Sequence, residues 1–523
     1  MKLLSLALIV ISTACSQQTR PERTRYEETS RYRDVIEFLD SLNIGSGPLK
    51  ISTLGYSTLG KKLPMIFYGD IPDTKPETVR RSGKLVVYIQ GNIHAGEVEG
   101  KEAMLELLRD LKEGKHGEWK RRLILMIVPI FNADGNDMIS LYNRPFQNGP
   151  AAGMGQRANA QGLDLNRDHI KLETPEVRAF VTMMNEYDPD VVIDLHTTNG
   201  SFHAYHITYS YTVNPIVDSS LDTFVRNEFF PNVERKMTQK KIRTHRYGDY
   251  LDQTPAGKPG YYFWAHEPRF NSNYVGFRNR LAVLSEAYSY ITFEKRIAAS
   301  KALVESILDY CSGNSLKMKR MLAAADSLSS HLQQFDSLSV RAEIVESNPA
   351  QEILLAPVRT EHNPYTGEPM YLMNEDSIRK IITSEFYGTR SLRNAKVPVR
   401  YYIPDSLKLV LELLHAHGIG MTRAPDTRRI AVERFRITAN RLAENKFQKH
   451  TMRTLEGKYE TVEEEIPAGS WCVELNQPLS RLAFYLLEPE SEDGCVAWNI
   501  VDPYLGEGKS YPIVKVTDEN EEK

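Results

Sequence analysis

The chain has 523 residues, 41% hydrophobic and 25% charged, with Lys+Arg 65 against Asp+Glu 68 for a formal charge of −3. That length exceeds one ordinary domain of about 100–200 residues, and the apolar fraction is enough for a substantial core. The balance excludes a wholly disordered chain and a multispanning membrane protein, and it lacks the basic surface that nucleic-acid binding needs.

At the N-terminus, Met1-Lys2 precedes an apolar run, Leu3 to Ile11, and then Ser12-Thr13-Ala14-Cys15. A basic start, a short apolar core and small residues before a cut predict a signal peptide over 1–14. The run is far shorter than the roughly 20 residues of a spanning helix. Cys15 directly after Ala14 resembles a bacterial lipobox, although Ser12 stands where Leu is usual. The expectation is a protein exported across the inner membrane to the periplasm or cell envelope. Its only membrane contact would be a lipid on Cys15, with residues 15–30 as a tether. Three further cysteines remain, Cys311, Cys472 and Cys495, and an oxidising compartment would allow one disulfide, with Cys472–Cys495 as the candidate.

The first helical pattern falls near Arg31–Leu42, with Val35, Phe38, Leu39 and Leu42 on one face. Four apolar, β-branched runs then read as strands buried on both faces: Leu85–Ile89, Leu123–Ile130, Val191–Leu195 and Leu281–Leu284. Between them lie two amphipathic helices. One carries Met104, Leu107, Leu108 and Leu111; the other carries Val177, Phe180, Val181 and Met184 behind the start signal Thr174-Pro175. Strands alternating with helices predict an α/β domain over 31–312, a mixed and largely parallel sheet sandwiched by helices. Residues 313–340 read as a helical connector. Short strand-like pieces follow (Arg341–Val345, Ile353–Val358, Trp471–Leu475, Ala483–Leu487), with one helix bearing Leu407, Val410, Leu411 and Leu414. They predict a smaller α+β or β-rich accessory domain over 341–517, ahead of an acidic tail, 518–523.

Each of the four buried runs is followed at once by polar residues. They are Gln90-Gly91-Asn92-Ile93-His94-Ala95-Gly96-Glu97, Phe131-Asn132-Ala133-Asp134-Gly135, His196-Thr197-Thr198, and Ser285-Glu286. Open α/β sheets bind ligands outside the carboxyl ends of their strands, so these ends are expected to converge on one crevice. Of thirteen histidines only His94 has an acidic residue three positions on, and His196 completes a His/Glu/His set. Two imidazoles, one carboxylate and an open fourth position are the ligands of a catalytic zinc ion. The pairs His203/His206 and His415/His417 have no such acidic partner, and Arg278-Asn279-Arg280 reads as a solvated loop.

His94-x-x-Glu97, Asn132-Ala133-Asp134-Gly135, Asp164-Leu165-Asn166-Arg167, His196 and Glu286 stand in an order that resembles the zinc metallocarboxypeptidase family. The likeness spans about residues 30–310, and a carboxypeptidase-like fold is what it implies. It further implies one zinc ion on His94, Glu97 and His196, with Glu286 as general base and acid. Asn166 and Arg167 would grip the substrate's terminal carboxylate, and Asp164 would orient His94. An arginine that stabilises the oxyanion should lie between Asp134 and Asn166. Arg157 and Arg144 both qualify, with Arg157 preferred because Gly153–Gly155 offers a bend. The family's mobile tyrosine is left open among Tyr247, Tyr250, Tyr261, Tyr262 and Tyr274.

The chemistry fits these roles. A carboxylate outside the ligand set can move protons, and a guanidinium fork matches a carboxylate. The expected activity is hydrolysis of C-terminal peptide bonds in a peptide or muropeptide. Two rivals share the scaffold: a zinc amidase acting on murein peptides, and a catalytically silent peptide-binding lipoprotein. A silent relative would have lost a ligand or the base, and all four are present here.

Overall fold

The computed structural model describes residues 17–45, 47–198, 200–506 and 509–517. The expected signal peptide, Cys15 and the acidic tail 518–523 lie outside the described residues.

Among the described residues, ten strands precede residue 290: β1 (Leu49–Tyr56), β2 (Lys62–Tyr68), β3 (Leu85–Gly91), β4 (Leu123–Val128), β5 (Val191–Thr197), β6 (Ile207–Ser210), β7 (Thr244–Arg246), β8 (Asp249–Leu251), β9 (Gly260–Tyr262) and β10 (Leu281–Ala287). Eight of them form one sheet in the order β1-β2-β4-β3-β5-β10-β6-β7. The four predicted runs are its parallel centre, β4-β3-β5-β10, flanked by the antiparallel neighbours β2 and β6. Side chains alternate between faces along a strand, so each run feeds two cores. Leu85, Val87 and Ile89, with Val191, Ile193 and Leu195, pack under α1 (Tyr32–Ser41), α2 (Glu99–Lys112) and the later helix Phe293–Ser329. Val86, Tyr88 and Val192 face the other way, towards α3 (Pro175–Tyr187) and α4 (Asn271–Phe277). The start of α3 is built as predicted: Pro175 opens the first turn and the Thr174 hydroxyl accepts from the Val177 amide.

That second core also takes in Leu407, Val410, Leu414, Phe435, Leu482, Phe484 and Trp498. The C-terminal region therefore closes one face of the central sheet. Its long strands β11 (Ser337–Leu355) and β14 (Arg379–Lys396) join β9 and β8 in a four-stranded sheet, with β12 (Val358–His362) and β13 (Pro369–Met373) paired between them in sequence. A six-stranded sheet has the order β16-β19-β15-β20-β17-β18, from β15 (Arg400–Ile403), β16 (Thr422–Arg423), β17 (Arg428–Leu442), β18 (Arg453–Ile466), β19 (Trp471–Glu474) and β20 (Val514–Val516).

Several expectations need correction. The boundary placed at 312/313 falls inside one continuous helix, α5 (Phe293–Ser329), whose first half packs on the central sheet. The described part of the expected tether is docked: Glu22 pairs with Arg109 at 2.7 Å, and buried Glu102 accepts from Thr29 and Ser30. The pieces Arg341–Val345 and Ile353–Val358 are not separate strands, because β11 runs through Ser347 and Pro349, residues that look like a break. Ala483–Leu487 is helical, in α6 (Ser480–Leu487); burial on all sides erased the periodicity that would have marked it. The candidate Cys472–Cys495 disulfide is not formed, and Cys311 and Cys495 are buried thiols.

The two regions also meet through charge. His450 Nε2 lies 2.7 Å from Glu173 Oε1, and Lys171 donates to the same carboxylate at 2.7 Å. Burial alone would raise the Glu173 carboxyl, but these bonds reverse that and hold it at about 2 against an ordinary 4.5. Glu173 in turn raises His450 above its ordinary 6.5. A lowered carboxyl loses its contribution as pH falls through 4.5 towards 2, and a raised imidazole loses its contribution as pH rises beyond 6.5. Glu173→Gln is therefore expected to cost most stability between about pH 4.5 and about pH 6.5, with a smaller deficit on either side, in denaturant unfolding followed against pH. A deficit independent of pH would contradict the pairing.

Candidate metal centre

The site is assembled from the ends of β3, β5 and β10. After Gly91 the chain turns through Asn92, at φ 68°, into His94 and Glu97 and then enters α2. The return is tight: a Cβ on Gly91 would stand 2.9 Å from the Gly100 backbone, and one on Gly100 would meet Leu195 Cβ at 2.5 Å. Leu195 precedes His196 on β5, so these glycines set the separation between the two ligand-bearing segments. Glu286 on β10 lies directly across from His196 in the parallel register.

Nδ1 of His94, Nδ1 of His196 and the Glu97 carboxylate face one another. His94 Nδ1 is 3.1 Å from Glu97 Oε1 and 3.2 Å from His196 Nδ1, which is 3.0 Å from Glu97 Oε2. All three residues are buried, and all their ligating atoms lie within 4.8 Å of one another. The outer nitrogens meet carboxylates: His94 Nε2 is 3.0 Å from Asp164 Oδ1, and His196 Nε2 is 2.9 Å from Asp194 Oδ2. Asp164 hydrogen-bonds the outer nitrogen of His94, while Asp194 stands beside that of His196 as a charge contact without hydrogen-bond geometry, and the two inner nitrogens face one point. Two imidazole nitrogens and a carboxylate suit a zinc ion.

Electrostatics separates the carboxylates. Burial works to raise Glu97, yet His94, Arg144 and His196 bring it well below the ordinary range. Asp164 is likewise lowered against the effect of burial, by His94, Arg167 and Arg157. Glu286 goes the other way. Burial, with Glu97 adding repulsion, pushes it up to about 8 although His196, Arg144 and Arg157 oppose the shift. Its Oε2 is buried with no hydrogen-bond partner among the described residues. One carboxylate is thus held ready as a ligand and a second is left to gain and lose a proton.

The two candidate arginines differ in how they are held. Arg144 is tied down by Glu97 Oε1 at 2.9 Å, Gln147 Oε1 at 2.7 Å, and the Thr197 and Thr198 carbonyls at 3.1 and 2.8 Å. It serves to fix Glu97. Arg157 donates Nε to Asp164 Oδ2 at 2.8 Å, lies 3.5 Å from Glu97 Oε1, and keeps 45% of its side chain exposed. Arg167 sits 4.1 Å from the centre of the Phe270 ring and donates to the Asn166 carbonyl. The Asn166 side-chain oxygen accepts from the Asn271 amide at 2.8 Å, which directs its NH₂ away from that contact. Among the five tyrosines left open, Tyr247 has its phenol in the field of Glu286, Glu97 and Arg157, and burial raises its pKa first of all.

Two residues of the site, Asp194 and Gln448, lie outside the sequence reading, and Arg144 has a role that reading does not assign. Asp194 stands two positions before His196 on the same strand face, and that spacing was legible. Arg144, a candidate oxyanion group by its order in the sequence, pairs with Glu97. Gln448, whose side chain accepts from the Asp164 amide at 2.9 Å, comes from 284 residues away and left no local signal. Arg278 and Arg280, read as a solvated loop, are buried: Arg278 binds the Tyr274 hydroxyl and the His417 carbonyl, and Arg280 pairs with Asp188 and Asp326. His203 and His417 are buried, and burial lowers each to about 3.

Fold and site together define a hydrolase of the metallopeptidase class. Residues 35–266 match the zinc carboxypeptidase family, so the chain carries a zinc carboxypeptidase domain and is a metallopeptidase. It is 22% identical over 476 residues to "Carboxypeptidase 2" of Trichophyton tonsurans, covering 87% of this chain and 81% of that protein. It is 21% identical over 474 residues to "Carboxypeptidase 2" of Trichophyton rubrum, with the same coverage of both chains. Among solved structures, a metallo-carboxypeptidase from Burkholderia cenocepacia superposes with a TM-score of 0.42 at 18% identity, over 55% of this chain and 71% of that one.

The close approach at Gly100 gives the centre a mechanical test. Gly100→Ala is expected to cost about 2 kcal/mol, as overpacking between a helix and a sheet does. It should also weaken zinc binding by pushing Glu97 away from His196. Unfolding and zinc titration check both; a variant as stable and as tight-binding as the parent would show that the approach is not limiting.

Proposed function

We propose that the protein is a zinc-dependent metallocarboxypeptidase that hydrolyses the C-terminal peptide bond of peptide substrates. The observation that carries this reading is the inward convergence of His94, Glu97 and His196 with Glu286 beside them in register. When bound there, one zinc ion supplies a Lewis acid that polarises a carbonyl and makes water more acidic. Glu286 takes a proton from the attacking water and passes it to the departing amine. Its pKa, raised by burial, suits a group that must do both. The half-exposed Arg157 guanidinium stands ready for negative charge developing on the carbonyl oxygen, while Asp164 restrains its Nε. Arg167 and Asn166 hold the substrate's terminal carboxylate, the first with a planar fork kept in place by Phe270. Tyr247, with its phenol in the field of Glu286 and Glu97, stays protonated because burial raises its pKa, and so can donate a hydrogen bond. The N-terminal pattern supports an exported enzyme of the cell envelope anchored by a lipid on Cys15.

Glu286→Gln is expected to retain zinc and lose at least about 10³-fold in kcat, because proton transfer fails while the ligands stay. A peptide amidated at its C-terminus should resist the parent enzyme. Product analysis by mass spectrometry checks both; an active Glu286→Gln, or ready cleavage of the amidated peptide, would contradict the mechanism.

A further inference from the structure

We propose that Gln448, at the tip of the β17–β18 hairpin, is a positioning residue of the metal centre. Through it the C-terminal region takes part in building the site. This rests on the reading of His94, Glu97 and His196 as zinc ligands.

β17 and β18 pair from Arg428↔Ile466 to Leu442↔Arg453, and the chain beyond them narrows to a two-residue turn. Phe447 and His450 exchange backbone hydrogen bonds of 2.8 and 2.9 Å, leaving Gln448 at φ 49° and Lys449 at φ 69°. Two consecutive positive φ values belong to the tight hairpin turn that favours Asn-Gly, and Gln-Lys is a poor choice for it on backbone grounds. What the side chains touch explains the choice. Gln448 Oε1 accepts from the Asp164 amide at 2.9 Å, and Lys449 Nζ donates to the Gln161 carbonyl at 2.7 Å. His450 meets Glu173, and the Arg269 guanidinium lies 5.3 Å from the Phe447 ring. All four tip residues grip the segment that carries Asp164, or the groups beside it.

That segment satisfies most of its own backbone. The Asn159 amide donates to the Leu163 carbonyl, Gly162 donates to the Asn159 carbonyl, and the Asn159 side-chain oxygen accepts from Gln161 and Leu163. The amide of Asp164 points outwards, and Gln448 meets it. Asp164 is the hub of the centre. Its Oδ1 takes His94 Nε2 and the Asn166 amide, and its Oδ2 takes Arg157 Nε. Gln448 anchors the peptide plane from which that carboxylate extends, and so sets the His94 ring and the Arg157 fork without touching substrate.

The test compares full-length parent, Gln448→Met, which keeps length and loses the acceptor, and Gln448→Glu, which keeps it. Amide hydrogen exchange over 159–168 is measured without metal; zinc release to a chelator, kcat and KM are measured on loaded enzyme, and Tm on all. Gln448→Met should speed exchange in that segment by about tenfold. It should also release zinc about tenfold faster and lower kcat by a similar factor, leaving KM and Tm unchanged, while Gln448→Glu stays near the parent. Parent-like exchange and zinc release in Gln448→Met would overturn the proposal, as would losses that merely track a fall in Tm. A parent that neither holds zinc nor cuts peptides would instead refute the metallopeptidase reading, with the exchange result still deciding the role of the tip.

Discussion

Two carboxylates on the outer nitrogens of two histidines set the rest of this site. Asp164 and Asp194 lie 3.0 and 2.9 Å from His94 Nε2 and His196 Nε2, the first as a hydrogen bond and the second as a charge contact, and the inner nitrogens lie 3.2 Å apart. Bringing two imidazoles and a carboxylate this close without a bridging cation costs free energy, and Asp194 and Glu97 offset part of it by favouring a proton on His196, which they raise well above its ordinary range against the effect of burial. The carboxylates, the cores behind the strands and the C-terminal hairpin all serve to keep that unfavourable arrangement in place. A metal ion makes it favourable.

The scaffold supplies rigidity in layers. The strands bearing His196 and Glu286 are neighbours in the parallel centre of the sheet, covered on both faces, so neither end can shift without disturbing two cores. The Glu97 segment is pinned to β5 by the Gly100–Leu195 contact, and Glu97 itself is held by Arg144. Behind it, a fully buried ion pair joins Arg296 of α5 to Glu99 of α2, and the same guanidinium takes the carbonyls of Asn148 and Ile291. Asp164, which orients His94 from a loop, receives support from the C-terminal region through Gln448.

Much of this was legible in the sequence. Buried parallel strands are near-continuous apolar runs, and the residues after them are the ones a strand-end crevice must use, so His94, Glu97, His196 and Glu286 could be read together. What could not be read follows from distance and burial. No local pattern links Gln448 to Asp164 across 284 residues. Helix α6 is buried all round and so carries no amphipathic period, and β11 tolerates Pro349 because its pairing with β14 shifts register there. The strands of the C-terminal region differ in character and so read as an accessory domain, yet Phe435, Phe484 and Trp498 share a core with Val86 and Val192. Order alone leaves Arg157 and Arg144 equivalent, the bend at Gly153–Gly155 favours Arg157, and their partners show how differently the two are held.

The central claim is that two imidazole nitrogens and one carboxylate of this chain hold a zinc ion. Metal analysis combined with X-ray absorption at the zinc edge on the purified full chain tests it most directly. The account predicts one zinc per chain in a shell of two imidazole nitrogens and oxygen donors, lost when His94→Ala and His196→Ala are combined. A chain that takes up no zinc at saturating metal, or whose zinc shell contains sulfur and survives that double substitution, would contradict it.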